Sequence, residues 1–198
     1  MKIMIKTHSM LIEEQSKYAA PANKLIRMVR DGQIIPIVRG LYETDRTASP
    51  HLLAGSIYGP SYLSFEFALS CHGLIPERVA TITSATFSKK KKKEYSTPFG
   101  RFTYRDVPPA AFPLGIETRE ADGYHYRIAR PEKALCDQLY KLPPVAGTKE
   151  LEYLLFDDLR IDRGEFAKLN AAEIHSYEGK YRCTNVKLLD KSLRRVRP

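Results

Sequence analysis

Four side chains within one short segment carry the groups that read or neutralise a polyanion: Asn23, Lys24, Arg27 and Arg30. At about 3.6 residues per turn their spacing gathers them on one face of a helix. Arg and Asn hydrogen-bond to base edges in the major groove, and Arg and Lys neutralise phosphates. Arg39, just before Gly40, adds a cation placed to reach backbone phosphate or the minor groove. A second basic group is the uninterrupted run Lys89, Lys90, Lys91, Lys92 and Lys93. A like-charged run repels itself and stays solvated, and lysine lacks the planar fork of arginine, so diffuse polyanion contact is its chemistry. A third lies in the tail from Lys180 to Pro198, where seven Lys and Arg face one acid, Asp190. Helical spacing brings Lys187, Lys191, Arg194 and Arg195 together, opposite Val186, Leu189 and Leu193.

Catalytic chemistry finds less support. The five histidines (His8, His51, His72, His125, His175) form no HExxH and no Cys/His metal spacing, so each reads as a core or surface residue. Cys71 and His72 are neighbours on a predicted helix, where their side chains diverge. Asp137 and Glu66 read as paired, buried carboxylates with no acid/base partner in view. A nuclease needs clustered carboxylates for a divalent metal. The densest cluster, Asp157, Asp158 and Asp162, lies beside Arg160 and Arg163 and reads as surface. The 11 glycines are scattered, with no phosphate-cradling loop. The expectation is therefore a non-enzyme with no cofactor and no metal.

The elements that position the basic groups begin near the N-terminus. Ser9 is the predicted cap of a short helix through Tyr18, with Leu11 and Ile12 inward. Ala19-Ala20 makes a turn, and Pro21 suits the first turn of a second helix over 22–31. There Ala22, Leu25, Ile26 and Val29 follow the spacing of one buried face, and Gly32 ends the helix. Gln33 to Tyr42 reads as a hairpin interrupted at Pro36 and Gly40. Helix, turn, basic helix and hairpin is the order of a winged helix-turn-helix, here in a short form with eight residues ahead of Ser9.

A Ser/Pro/Gly-rich stretch follows, and the domain boundary falls near Arg46 to Pro50, giving units 1–46 and 47–198. In the second unit a short helix is predicted over 51–57, and Ser64 is placed to cap a helix over 65–71 that Gly73 ends. Strands over 79–87 and 99–107 flank the lysine run and are expected to pair with each other as a hairpin with a long basic loop. A strand over 124–129 leads into a helix over 131–142, and the pattern from Lys149 onward is helical. The fold class expected is α/β (α+β): a short N-terminal winged helix-turn-helix, then a mixed α/β domain with a β-hairpin and C-terminal helices.

Composition agrees with a partner of opposite charge. The chain has 198 residues, 43% hydrophobic and 28% charged, with 32 Lys and Arg against 23 Asp and Glu, a net charge of +9 at pH 7. Such a balance speaks to polyanion affinity and not to fold, and places nucleic acid first and an anionic membrane surface second. No apolar run approaches the roughly 18 residues of a bilayer span, and the first residues are too soon polar for a secretory signal. Cys71, Cys136 and Cys183 are widely spaced and read as buried thiols in a reducing compartment, with a cytoplasmic location expected.

Several central segments resemble a known family. Tyr62-Leu-Ser-Phe-Glu-Phe-Ala-Leu-Ser-Cys-His-Gly-Leu-Ile75 is similar to the signature of AbiEi-type antitoxins, the transcriptional-regulator half of type IV abortive-infection toxin–antitoxin systems. The basic loop followed by Thr97-Pro-Phe-Gly-Arg-Phe102 resembles the same family, as do Tyr126-Arg-Ile-Ala-Arg-Pro-Glu-Lys-Ala-Leu-Cys-Asp137 and the wing-like Val38-Arg-Gly-Leu-Tyr42. The resemblance covers about residues 20 to 142.

It implies a winged helix-turn-helix that binds the operon's own promoter as double-stranded DNA, often at inverted repeats. It also implies a second α/β domain that opposes a nucleotidyltransferase-like toxin without a stable complex. By position, Asn23, Lys24, Arg27, Arg30 and Arg39 fall in its recognition helix and wing. The motif residues Ser64, Glu66, His72, Gly73, Pro131, Glu132, Lys133 and Asp137 fall in the hydrogen-bonded framework of the fold. The rival expectations are an interaction module without sequence-specific DNA binding and, behind it, a metal-dependent nucleic-acid-processing enzyme.

Overall fold

The computed structural model describes residues 5–196, with side chains described as far as Leu193. In chain order its elements are β1 (Lys6–Thr7), α1 (His8–Glu14), α2 (Pro21–Arg30), β2 (Ile35–Val38), β3 (Leu41–Glu43), α3 (Pro50–Ile57), β4 (Tyr62–Leu63), α4 (Phe65–Cys71), β5 (Ile82–Thr86), β6 (Lys93–Thr97) and β7 (Gly100–Asp106). There follow β8 (Ile116–Ala121), β9 (Tyr124–Ala129), α5 (Pro131–Tyr140), α6 (Thr148–Tyr153), a π-helical turn (Leu154–Asp158), α7 (Arg163–Lys168), α8 (Ala171–Tyr181) and α9 (Thr184–Val196). The class is mixed α/β. Among the described residues no helix is long and apolar enough to cross a membrane. Met1 to Met4 and Arg197 lie outside the described residues, as do the side chains of Arg194 and Arg195.

The N-terminal elements build a three-stranded antiparallel sheet in the order β1-β3-β2, together with two helices. Helix α1 starts earlier than expected, because Thr7 and not Ser9 caps it: the Thr7 hydroxyl accepts the Met10 amide at 3.3 Å. It also stops at Glu14, short of Tyr18. Helix α2 opens on Pro21 and closes before Gly32, whose φ of +69° suits a residue without Cβ. Pro36 sits inside β2, at the edge of this sheet, and the expected interruption appears as a shift in the β2–β3 register between Pro36 and Val38.

The larger sheet has the order β6-β7-β5-β4-β9-β8. Here one expectation is corrected. Strands β5 and β7 do pair, but in parallel, with Ile82 opposite Phe102 and Thr86 opposite Asp106. The hairpin partner of β7 is β6, which begins at the last lysine of the run. The tight turn after Thr97 decides this. The Thr97 hydroxyl accepts the Phe99 amide at 3.0 Å and donates to the Gly100 carbonyl at 3.1 Å. The chain is thereby folded back one strand earlier, and β7 re-enters the sheet alongside β5. Strand β8, for which no apolar run gives a signal, is fixed by its antiparallel pairing with β9.

Helix α5 packs behind the sheet with every residue from Glu132 to Leu139 buried. Around it lie Leu151, Leu155, Phe166, Ile174, Val186, Leu189 and Leu193 of the C-terminal helices. A smaller buried cluster, Leu11, Leu25 and Ile34, belongs to the N-terminal elements, whereas Ile35, Ile37 and Ala48 join the large core. Adjacent residues of one segment thus serve both cores.

Glu43 ties the two sheets together. It is fully buried, accepts the amides of Thr44 and Asp45 at 2.7 and 3.1 Å, and accepts the Tyr124 hydroxyl from the β8–β9 hairpin at 2.8 Å. Burial and the facing carboxylate push the Tyr124 hydroxyl well above its ordinary range, keeping it a donor. Replacing Tyr124 by phenylalanine removes a hydrogen bond to a charged group. A loss of about 1.5–3 kcal/mol in denaturant unfolding is expected. A loss of about 0.3 kcal/mol would mean that water takes over the carboxylate.

Candidate nucleic-acid interface

Helix α2 places its basic residues differently from the expected pattern. Its inward face is Leu25 (buried) with Met28 and Val29 packed against the small cluster. Ile26, expected inside, is 66% exposed, and Ala22 also faces outward. The outward face therefore reads Asn23, Ile26, Arg27 and Arg30. The competing spacing Leu25, Met28, Val29 fits a buried stripe as well as Leu25, Ile26, Val29 does, and packing against α1 selects it. Lys24 turns to the side, its ammonium 5.5 Å from the Tyr18 ring.

The arginines of this face are lightly held. Arg27 Nε reaches the Asn23 carbonyl at 3.4 Å, and Arg30 Nε meets Asp31 at 3.1 Å on the surface. Exposed pairs of this kind contribute about 0–1 kcal/mol and yield readily to a better partner. An exposed isoleucine between them offers methyl groups, which in a major groove contact the 5-methyl of thymine. Arg39 is exposed between β2 and β3, beside Gly40, whose φ of +80° makes the turn.

The lysine run is an ordered structure. Asp106 at the end of β7 accepts the amides of Lys89 and Lys90, both at 2.7 Å, and the Thr86 hydroxyl at 2.7 Å. Two residues of this loop, Ser88 and Lys90, hold left-handed backbone angles (φ +54° and +58°) that cost side-chain-bearing residues about 1–3 kcal/mol each. The five lysines then part. Lys89 is half-buried, donating to the Gly59 carbonyl at 3.1 Å, with its ammonium 5.2 Å from the Tyr58 ring. Lys93 belongs to β6. Lys90, Lys91 and Lys92 line a cleft with Arg105, Asp106 and Lys141.

Removing the clamp tests this order. In Asp106→Ala the loop loses three bonds to a carboxylate, each worth about 1.5–3 kcal/mol. Trypsin should then cut within Lys89 to Lys93 at least about tenfold faster than in the parent, since about 1.4 kcal/mol shifts an opening equilibrium tenfold. Equal rates would mean that the loop opens freely already.

The residues expected from the sequence to form a hydrogen-bonded framework make long-range bonds. Ser64 does not cap α4; its hydroxyl donates to Asp137 at 2.6 Å. Asp137 also accepts from Tyr62 at 2.9 Å, from Tyr181 at 2.5 Å and from Lys133 at 2.8 Å. Glu66 holds the Arg105 guanidinium with two bonds, and His72 Nε2 lies 2.8 Å from the Ala129 carbonyl. Glu132 accepts the Asn170 amide at 2.7 Å. A serine, a lysine, an aspartate and two tyrosines in contact are groups that catalysts use. Here Lys133 and Asp137 have no solvent exposure, and their bonds tie α5 to the sheet and to α8. Burial and the Asp137 charge push both tyrosine hydroxyls far up, which keeps them protonated donors.

Two smaller expectations need adjustment. Cys136 is buried and Cys183 partly so, but Cys71 is exposed, because it lies on the outer side of α4. Among the described residues one group of potential metal ligands gathers within 4.8 Å: His175 and Glu178 of α8 with Asp190 of α9. Residues of two different helices meet there only through packing, so no spacing rule finds them. Asp157 and Asp158 are exposed, and Asp162 caps α7 by accepting the Glu165 amide at 2.8 Å.

Arg105 and Lys141 are the cations missed by sequence reading. Neither belongs to a basic run, and only the parallel β5–β7 pairing and the end of α5 bring them to the lysine loop. Compared with known proteins, the chain matches no protein-family model and no curated protein.

Proposed function

We propose that this chain is a double-stranded-DNA-binding transcriptional autorepressor and the antitoxin of a type IV, AbiEi-like abortive-infection system. In this reading residues 1–46 are a short winged helix-turn-helix, α2 enters the major groove, and the β2–β3 turn with Arg39 touches the backbone. The observation that carries it is the outward face of α2, where Asn23, Ile26, Arg27 and Arg30 together offer base-edge donors, a methyl contact and phosphate-neutralising charge. The order helix, helix, strand, turn, strand, with a third strand added by β1, supports the module, and the net charge of +9 supports the partner. The motif resemblance supports the antitoxin role against a nucleotidyltransferase-like toxin in the cytoplasm. Recognition of an inverted repeat takes two protomers, each α2 on one half-site.

The test is binding of the purified chain to its own upstream DNA and to a scrambled duplex, at low and physiological salt. A preference for the upstream duplex of at least about a thousandfold that survives physiological salt is expected of a specific binder. Equal affinity for both duplexes, fading together with salt, would reduce the interaction to generic attraction by the net charge.

A further inference from the structure

We infer that the cleft between the lysine loop, β7 and the end of α5 is a binding site for consecutive phosphate groups. It has a volume of about 340 Å³ and is lined by Lys90, Lys91, Lys92, Arg105, Asp106 and Lys141. Five cations from three separate elements converge on a concave surface whose only lining acid, among the described residues, is Asp106. Lys92 is balanced by Glu94 at 2.7 Å, and Arg105 by the Glu66 carboxylate behind it. Lys90, Lys91 and Lys141 are exposed, and among the described residues none of the three has a side-chain ion pair.

Convergence of like charge is unfavourable unless something holds it or something anionic fills it. The holding is visible. Asp106 spends its carboxylate on the Thr86 hydroxyl and the Lys89 and Lys90 amides, and Lys141 donates to the Asp106 carbonyl at 3.1 Å. One residue therefore sets both sides of the cleft. The loop is kept in its left-handed turns at Ser88 and Lys90, so the ordering cost that a flexible lysine string would incur on binding is already met. The anion hole of the loop backbone is occupied by Asp106 itself, which leaves the ammonium groups as the ligand-facing donors. Ammonium groups suit phosphate as point charges, without the bidentate geometry that arginine imposes. Three ammonium groups without a side-chain ion pair, gathered on one concave surface, have the charge to neutralise two or three linked phosphates. These are supplied either by a free oligophosphate or by a single strand of nucleic acid. The inference stands apart from the reading of α2, whose residues it does not use.

The experiment is calorimetric titration of the full chain with tripolyphosphate, pyrophosphate and orthophosphate at about 0.15 M ionic strength, where diffuse attraction is screened beyond about 8 Å. One tripolyphosphate per chain is expected, bound at least tenfold more tightly than orthophosphate. Lys91→Gln and Lys141→Gln should each weaken it fivefold or more. Lys149→Gln, which removes the same charge from the exposed start of α6, should change it less than twofold. Among the described residues the Lys91 side chain is exposed and makes no hydrogen bond or ion pair, so its variant keeps the test clear of folding. A labelled 12-nucleotide single strand then separates the sources. Displacement of the strand by tripolyphosphate, with the same weakening in Lys91→Gln, assigns nucleic-acid backbone to the cleft. Tripolyphosphate binding without displacement assigns a free oligophosphate. The inference is overturned if tripolyphosphate fails to bind, if several bind per chain, or if Lys149→Gln weakens it as much as Lys91→Gln does.

Discussion

Lys133→Ala is expected to remove about 3–5 kcal/mol of folding stability, because it strands the Asp137 carboxylate in a site with no access to water. The pair is separated by 2.8 Å within one turn of α5, and both side chains are fully buried. The carboxylate is the hub of the network, receiving Lys133, Tyr181, Tyr62 and Ser64, so elements from the sheet, α5 and α8 meet at two oxygens. Loss of one ordinary neutral hydrogen bond costs about 0.5–1.5 kcal/mol, and the excess over that measures the uncompensated charge. At about 2–4 °C per kcal/mol for a chain of this size, the melting temperature should fall by roughly 6–20 °C. The companion variant separates charge from packing. In Lys133→Met with Asp137→Leu both charges leave together, so the double variant should recover the part of the loss due to the stranded charge but not the bonds of the buried Tyr62, Ser64 and Tyr181 hydroxyls, which lose their acceptor. A single-variant loss near about 1 kcal/mol with no recovery in the double would show that the pair is solvated in the folded protein and that the network is incidental.

That network also shows how far the sequence speaks. Ser64, Lys133 and Asp137 are legible as framework residues, but through a motif and not through physics: Ser64 ahead of a helix reads as an N-cap, and its hydroxyl goes instead to a carboxylate 73 positions away. Local rules perform well where the deciding forces are local. Pro21 and Gly32 bound α2, Pro131 opens α5, and the alternation around Tyr124 to Ala129 is strand β9. They fail where a partner decides. Ile26 and Met28 compete for the inner face of α2, and only α1 breaks the tie. The strands before and after the lysine run look like the arms of one hairpin until the Thr97 turn is seen to give β7 a nearer partner in β6. Lys141 and Arg105 carry no local signal, because convergence of charge across a parallel strand pair is a property of topology. The groups most useful for chemistry in this chain are therefore those that sequence spacing describes least.

The arginines of α2 give the second large effect, with the opposite profile. Arg27→Ala and Arg30→Ala should leave stability within about 0.5 kcal/mol, since both side chains are exposed and alanine is the stronger helix former. In the proposed reading their cost falls on DNA. Each arginine that bonds a guanine edge contributes about 1–3 kcal/mol of discrimination, so each replacement should lower the ratio of upstream to scrambled affinity by about 5- to 150-fold. The double variant should approach the affinity of non-specific binding. Replacing Lys90 and Lys91 by glutamine should instead lower affinity for both duplexes alike and reduce the salt dependence by about one unit of slope for each phosphate no longer neutralised. The two profiles divide the positive charge into a part that chooses sequence and a part that only attracts. Equal weakening on upstream and scrambled DNA from both sets of variants would remove α2 from the reading role. The +9 charge would then act as a single undirected field.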